Sequence, residues 1–229
     1  MSRNSMNQTI EGRFLADEEK GEVSSLLIRP ERACALLVLG HGASTDMRHR
    51  TMESIATAMA DAGIATFRYN FPYSEAGGGR NANAVCMNTV RAPVKAAQSA
   101  APDLLMLAGG HSFSGRMTSM AAAAAPLEHV ASLVFFAFPL HPTKKPSRER
   151  ALHLRDVTVP MLFLSGTRDA LAERNLLEPT VEQLGKNATL HLLDTANHGF
   201  NILKRTRTSP EGVFDEQARL LCEWLAAVH

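Results

Sequence analysis

The stretch Leu107-Ala108-Gly109-Gly110-His111-Ser112-Phe113-Ser114-Gly115-Arg116 decides how the chain is read, because a short apolar run meets an alanine-rich one through a turn of small residues. Upstream, Asp103 to Leu107 supplies the apolar run of a central parallel strand, and downstream, Met117 to Ala125 supplies a helix that can lie close against a sheet. A serine at such a turn presents its hydroxyl upward. The strained backbone it adopts brings strand and helix together and needs small residues two positions to either side. Gly110 is one of these, and Ser114 stands where the second glycine of G-x-S-x-G is expected. Gly110 to Gly115 also has the spacing of a phosphate-binding loop. That loop requires Lys and then Ser or Thr, where this chain has Arg116 and Met117. A third reading is a plain strand-to-helix turn that happens to contain Gly and Ser.

The totals narrow the class. With 229 residues the chain suits one α/β domain, 1–229, with a single sizeable core. A net charge of +1 with scattered charges gives no electrostatic reason to expect nucleic acid or an anionic membrane as partner, which leaves a small-molecule substrate. The three cysteines, Cys34, Cys86 and Cys222, lie far apart without C-x-x-C spacing. That argues against a disulfide framework and a cysteine zinc site, and favours reduced thiols in the cytoplasm. Met1 to Lys20 is polar and mixed in charge, unlike a signal peptide, and no stretch approaches the roughly 20 apolar residues of a membrane span.

Outward from the turn, the pattern predicts an amphipathic hairpin, Thr9–Leu15 and Val23–Ile28, followed by apolar strands alternating with helices. The strands are Ala35–Leu39, Ala65–Tyr69, Leu104–Leu107, Ala131–Phe136, Met161–Leu164 and Thr189–Leu193. Helices are expected over Arg48–Ala62, closing at Gly63, over Asn81–Ala100 with a kink at Pro93, after Ser112, over Ala170–Leu184 with Pro179 starting or bending part of it, and over Phe214–Val228. Two plus six strands in this order make a mostly parallel sheet covered on both faces, with ligand-binding loops along one rim.

A serine hydroxyl is a weak nucleophile until a base takes its proton, so Ser112 needs a histidine, an orienting acid and amide donors for an oxyanion. Where this turn is used the chain order is serine, acid, histidine, with the partners on loops after later strands. Asp169 follows Met161–Leu164, and His198 follows Thr189–Leu193. Asp169 has a second possible use, as helix N-cap before Ala170. Asp194 is the rival acid, but it stands only four residues before His198 and reads as a loop-bonding residue. For the oxyanion, the amide of Phe113 follows the serine, and the loop Gly40-His41-Gly42-Ala43-Ser44 offers Ala43, with Gly42 as alternative. His41 is expected to bond within that loop and His111 to pack or to line the pocket. A metal held by His41, His111 and His198 has no ligand-spacing signature, and no metal or cofactor is expected.

Taken with Asp46-Met47, Phe71-Pro72-Tyr73, Pro139-Leu140-His141-Pro142, Ser165-Gly166-Thr167-Arg168-Asp169 and His198-Gly199-Phe200, the chain resembles the α/β-hydrolase superfamily over nearly its whole length. More narrowly it resembles the small lidless branch related to dienelactone hydrolases, and a neighbouring hydrolase-like group that includes a subunit of a chromatin-modifying complex. The resemblance implies a three-layer α/β-hydrolase fold with about eight strands and no sizeable lid. Leu140 to Pro160 has room only for a loop and a short helix, Ser147–Leu154. It also implies Ser112 as nucleophile, Asp169 as acid and His198 as base. Dienelactone hydrolases proper use cysteine, so their substrate does not transfer. The expected walls are Ser44, Tyr73, Phe113, His141, Leu171 and Phe200, a mixed set without clustered charge, suited to short acyl groups. The leading expectation is a serine hydrolase of a small carboxylic ester, as monomer or homodimer. The alternatives are a catalytically silent hydrolase-fold interaction or scaffold protein, and an acyltransferase or amidase using the same residues.

Overall fold

Period-two alternation along the inner strands sorts side chains between two faces of one sheet. In the computed structural model, which describes residues 7–229, eight strands form that sheet; the first six residues of the polar N-terminal stretch lie outside the described residues. The strands are β1 (Gln8–Asp17), β2 (Gly21–Arg29), β3 (Ala35–Gly40), β4 (Ile64–Tyr69), β5 (Leu105–His111), β6 (Val130–Phe136), β7 (Met161–Gly166) and β8 (Ala188–Leu193). Their spatial order is β1-β2-β4-β3-β5-β6-β7-β8. β1 and β2 form the expected antiparallel hairpin, β2 runs antiparallel to β4, and all other neighbours are parallel.

The helices are α1 (Arg50–Asp61), α2 (Pro72–Glu75), α3 (Asn83–Ala100), α4 (Phe113–Ala124), α5 (Arg174–Gln183) and α6 (Val213–Val228). On one face Leu36, Val38, Met106, Ala108, Leu133, Phe135, Met161 and Phe163 pack with residues of α3, α4 and α5. On the other face the alternate residues Leu37, Leu39, Leu107, Val134, Phe136, Leu162 and Leu164 pack against α1 and α6. Each fully buried Leu, Val or Phe contributes about 1.5–3 kcal/mol relative to exposure. The most completely buried part of the sheet is its centre, where β5 ends at the Ser112 turn.

Several expected boundaries move for local reasons. α3 is a single helical segment from Asn83 to Ala100 with Pro93 inside it. The helix expected from Ala170 starts instead at Arg174, because the amide of Leu171 bonds to Asp169 Oδ1 (2.8 Å) and its carbonyl accepts from Leu140 and His141. Pro179 then lies within α5 rather than at its start. The short helix expected at Ser147–Leu154 is a 3-10 segment, Glu149–Asp156, in the interval between β6 and β7. The single-turn α2, opened by Pro72, is an addition to the expected elements.

Candidate active site

Ser112 has φ 54° and ψ −110°, a conformation that an L residue adopts only when its surroundings impose it. The surroundings are explicit. Its amide donates to Phe136 O on β6 (2.8 Å), and its carbonyl accepts from Arg116 N (3.3 Å), which closes the first turn of α4. The serine is thus pinned at both ends while its side chain stays partly open to solvent.

The loops after β7 and β8 are stitched to each other. Arg168 N donates to Ala196 O (2.9 Å), and Thr195 N donates to Thr167 Oγ1 (2.9 Å). Asn197 tightens the second loop by accepting from the amides of Gly199 and Asn201, both at 3.0 Å. His198 projects from this frame between Ser112 and Asp169. Its Nδ1 lies 2.9 Å and 2.8 Å from the two oxygens of Asp169, and its Nε2 lies 2.7 Å from Ser112 Oγ. A carboxylate only accepts, so Nδ1 carries the proton and donates, which leaves Nε2 to accept the serine hydroxyl. The Asp169 side chain is fully enclosed, whereas that of His198 is 25% exposed. Asp169 thus accepts from Leu171 N within the loop and faces His198 at once; it is not the helix N-cap weighed from sequence, because α5 begins at Arg174 with Glu173 at its N-cap. Asp194, by contrast, bonds Thr208 through both its amide and its hydroxyl, as a loop residue does.

His111 donates from Nε2 to the backbone carbonyl of His198 (3.0 Å), so it braces the loop on which His198 stands. Burial holds its pKa at about 4, with the His198 carbonyl bond opposing the shift, and the ring is neutral at pH 7. His41 is enclosed in the same way and is also lowered to about 4 by burial. Its Nδ1 donates to Gly42 O (2.7 Å), as expected within the loop, and its Nε2 accepts from Phe71 N (3.1 Å). With both nitrogens engaged, His41 fixes the loop after β3 to the loop after β4.

That loop has further anchors. Met47 N donates to Asn70 Oδ1 (2.9 Å), Arg68 donates to Met47 O (2.9 Å) and Ser74 Oγ donates to Thr45 O (3.2 Å). Among the described residues the amides of Ala43 and Phe113 have no hydrogen-bond partner. Asn70 is oriented in turn by Glu75, which also accepts from Ser24 and Arg13. Burial opposes ionisation of Glu75, but the bonds from Asn70, Ser24 and Arg13 outweigh it and hold its pKa at about 2, below the ordinary 4.5. Because the folded value is the lower one, the stabilisation is complete above about pH 4.5 and is lost as pH falls towards 2. Glu75→Gln is expected to lower Tm near neutral pH, and its deficit relative to the parent should shrink across that window. Thermal melts of both proteins at stepped pH check this, and a constant gap would refute it.

Of the expected walls, only Ser44 is exposed. Tyr73, Phe113 and Phe200 are nearly enclosed, and His141 is fully buried with Nδ1 donating to Pro142 O (2.9 Å). This corrects the expectation for His141 as an open wall: the loop after β6 folds inward and anchors on Leu171 O. The expected walls themselves carry no clustered charge, but arginines outside that set lie near Phe113. The Arg80 guanidinium lies 5.0 Å from the centre of the Phe113 ring, and the charges of Arg80 and Arg150 both act on Arg116. Arg80, Arg116 and Arg150 are far apart in sequence, and only the folded chain brings their charges within range of one another.

A serine on a strained strand-to-helix turn, with His198 and Asp169 on successive strand-end loops of a mostly parallel sheet, defines the lidless α/β-hydrolase class. Residues 33–226 match the family described as an alpha/beta hydrolase domain, and the chain belongs to that family. Solved structures agree in fold. A dienelactone hydrolase from Anabaena variabilis superposes with a TM-score of 0.75 at 19% identity, covering 97% of this chain and 98% of that one. An α/β serine hydrolase without lid from Xanthomonas campestris gives 0.71 at 17% identity, covering 96% and 94%. A cold-adapted esterase from an Arctic intertidal metagenomic library gives 0.67 at 17% identity, covering 97% and 99%.

Proposed function

We propose that the protein is a serine hydrolase that cleaves a carboxylic ester of a small substrate through an acyl-enzyme. The observation that carries this reading is the continuous path from Ser112 Oγ to His198 Nε2 and from His198 Nδ1 to Asp169, at 2.7 to 2.9 Å. In the first half-reaction Ser112 Oγ bonds to the ester carbonyl carbon while His198 takes its proton. The carbonyl electron pair moves onto oxygen, where the Phe113 and Ala43 amides receive it. The tetrahedral species collapses, the carbon–oxygen bond to the alcohol breaks, and His198 returns the proton to the leaving oxygen. Water then repeats the sequence on the acyl-enzyme, with His198 as base, and releases the carboxylic acid and free Ser112. Asp169 holds the imidazole tautomer throughout.

Three unpaired cysteines support a cytoplasmic setting, and among the described residues no helix is long and apolar enough to cross a membrane. The test is turnover of short para-nitrophenyl esters together with labelling by a fluorophosphonate probe, which reacts only with an activated serine. Labelling at Ser112 with release of nitrophenol is the expected result. A folded protein that is neither labelled nor active would support a silent scaffold instead. Product analysis with alcohol and amine acceptors separates hydrolysis from acyl transfer.

A further inference from the structure

Three arginines without a carboxylate partner lie on α4 or on segments next to it. Arg80 lies on the loop before α3, with its Cζ 5.0 Å from the Phe113 ring centre. Arg116 is on α4, four residues or about 6 Å of axial rise beyond Ser112 in the backbone. Arg150 belongs to the 3-10 segment Glu149–Asp156, which packs on α4. Among the described residues none of the ion pairs includes Arg80, Arg116 or Arg150. Arg116 Nε is buried and has no hydrogen-bond partner.

The electrostatics are correspondingly unfavourable without an anion. Burial and then the charges of Arg150 and Arg80 push the Arg116 guanidinium below its ordinary range, and burial followed by Arg80 does the same to Arg150. Guanidinium nonetheless stays protonated in proteins, so the positive charges persist and repel. His153 does not add to them, since burial and then Arg116 lower it to about 4, while it contacts Ser119 Oγ at 2.7 Å. Asp156 is the carboxylate that acts here, and it acts on His153. Arg116 and Arg150 are part-buried, Arg80 is exposed over the ring of Phe113 beside Ser112, and none has a counter-charge among the described residues, a setting that favours an anion.

We propose that Arg80, Arg116 and Arg150 form a subsite beside Ser112 for an oxyanion group carried by the ester substrate, a phosphate in preference to a carboxylate. This rests on the ester-hydrolase reading and names its substrate class. A phosphate monoester carries nearly two negative charges and three peripheral oxygens, enough to engage all three planar donors. A carboxylate pairs fully with one guanidinium and leaves the others uncompensated. The reacting ester and the anionic group would be separated by a short chain.

The experiment compares para-nitrophenyl butyrate, the para-nitrophenyl monoester of succinic acid and para-nitrophenyl phosphonopropionate. The parent protein is expected to show the highest kcat/KM for the phosphonate ester. Arg150→Gln and Arg80→Gln should each reduce its preference over butyrate by about tenfold, mainly through KM. Arg116→Gln should do likewise, with its melting curve recorded to establish folding. Equal kcat/KM for phosphonate and neutral esters, or a preference unchanged in all three variants, overturns the subsite. Preference for the succinate ester over the phosphonate overturns the ordering. Titration calorimetry with inorganic phosphate separates the two readings. If no ester turns over but phosphate binds the parent and not the variants, the subsite stands and the hydrolase reading falls. If esters turn over without anion preference, the reverse holds.

Discussion

Ser112→Ala is expected to lower kcat for short para-nitrophenyl esters by on the order of a million-fold while leaving the protein folded. The size of the effect follows from how the residues act together. In the proposed mechanism Ser112 Oγ is the atom that bonds to the carbonyl, and His198 has no proton to accept once that oxygen is gone. The residual rate expected under that mechanism comes from the Phe113 and Ala43 amides in their proposed role toward the oxyanion. For the same reason the double variant Ser112→Ala/His198→Gln should be no slower than Ser112→Ala alone, since either change removes the whole relay. The fold should tolerate the first change. The hydroxyl is partly exposed and the amide of residue 112 keeps its bond to Phe136 O, so Tm should shift by only about 3 °C or less. Steady-state kinetics alongside a melting curve check both halves. Retained turnover in the alanine variant would refute the assignment of Ser112.

What could be read in the sequence depended on the range of the interaction involved. β5 and the Ser112 turn were legible because apolar run, glycine, serine and small residues are consecutive, and strand-end position then pointed to Asp169 and His198. The tautomer of His198, by contrast, depends on Asp169 lying 29 positions away and could only be inferred from the proposed role. His41 was legible as a loop-bonding residue through its neighbour Gly42, but its bond to Phe71 crosses between two strand ends. The Arg80, Arg116 and Arg150 group gave no local signal, since each residue alone looks like a solvated charge. The start of α5 was missed because Leu171 looks helical by composition, while its carbonyl is claimed by a loop some thirty residues earlier, at Leu140 and His141.

The substitution of Ser114 for the second small residue of the turn has a spatial explanation, and it yields a coupling experiment with a large expected effect. A Cβ built on Gly40 would lie 2.5 Å from Ser114 Cβ, 3.0 Å from Ser114 Oγ and 2.9 Å from Tyr69 Oη. β3 therefore gives up a side chain at position 40, and Ser114 occupies the space, donating from Oγ to His111 O at 3.1 Å. Gly40→Ala should destabilise the protein by about 3 kcal/mol through overpacking. Ser114→Gly should cost about 1 kcal/mol through the lost hydrogen bond and a glycine in the first turn of α4. Combined, they should cost less than their sum by about 1–3 kcal/mol, because the second change removes two of the three obstructions created by the first. Gly110→Ala should behave differently. There φ is +151°, and an added Cβ would collide with Ser114 Oγ and also lie 2.5 Å from Gly40 O. Ser114→Gly relieves only the side-chain clash and leaves the backbone clash and the forbidden angle, so it should restore little of that loss. Urea unfolding of the five variants measures both couplings. Equal rescue at positions 40 and 110 would mean that Ser114 is not what confines position 40 to glycine. Rescue at 40 alone is the result expected of a turn in which the space for a second glycine has been moved from the helix to the neighbouring strand.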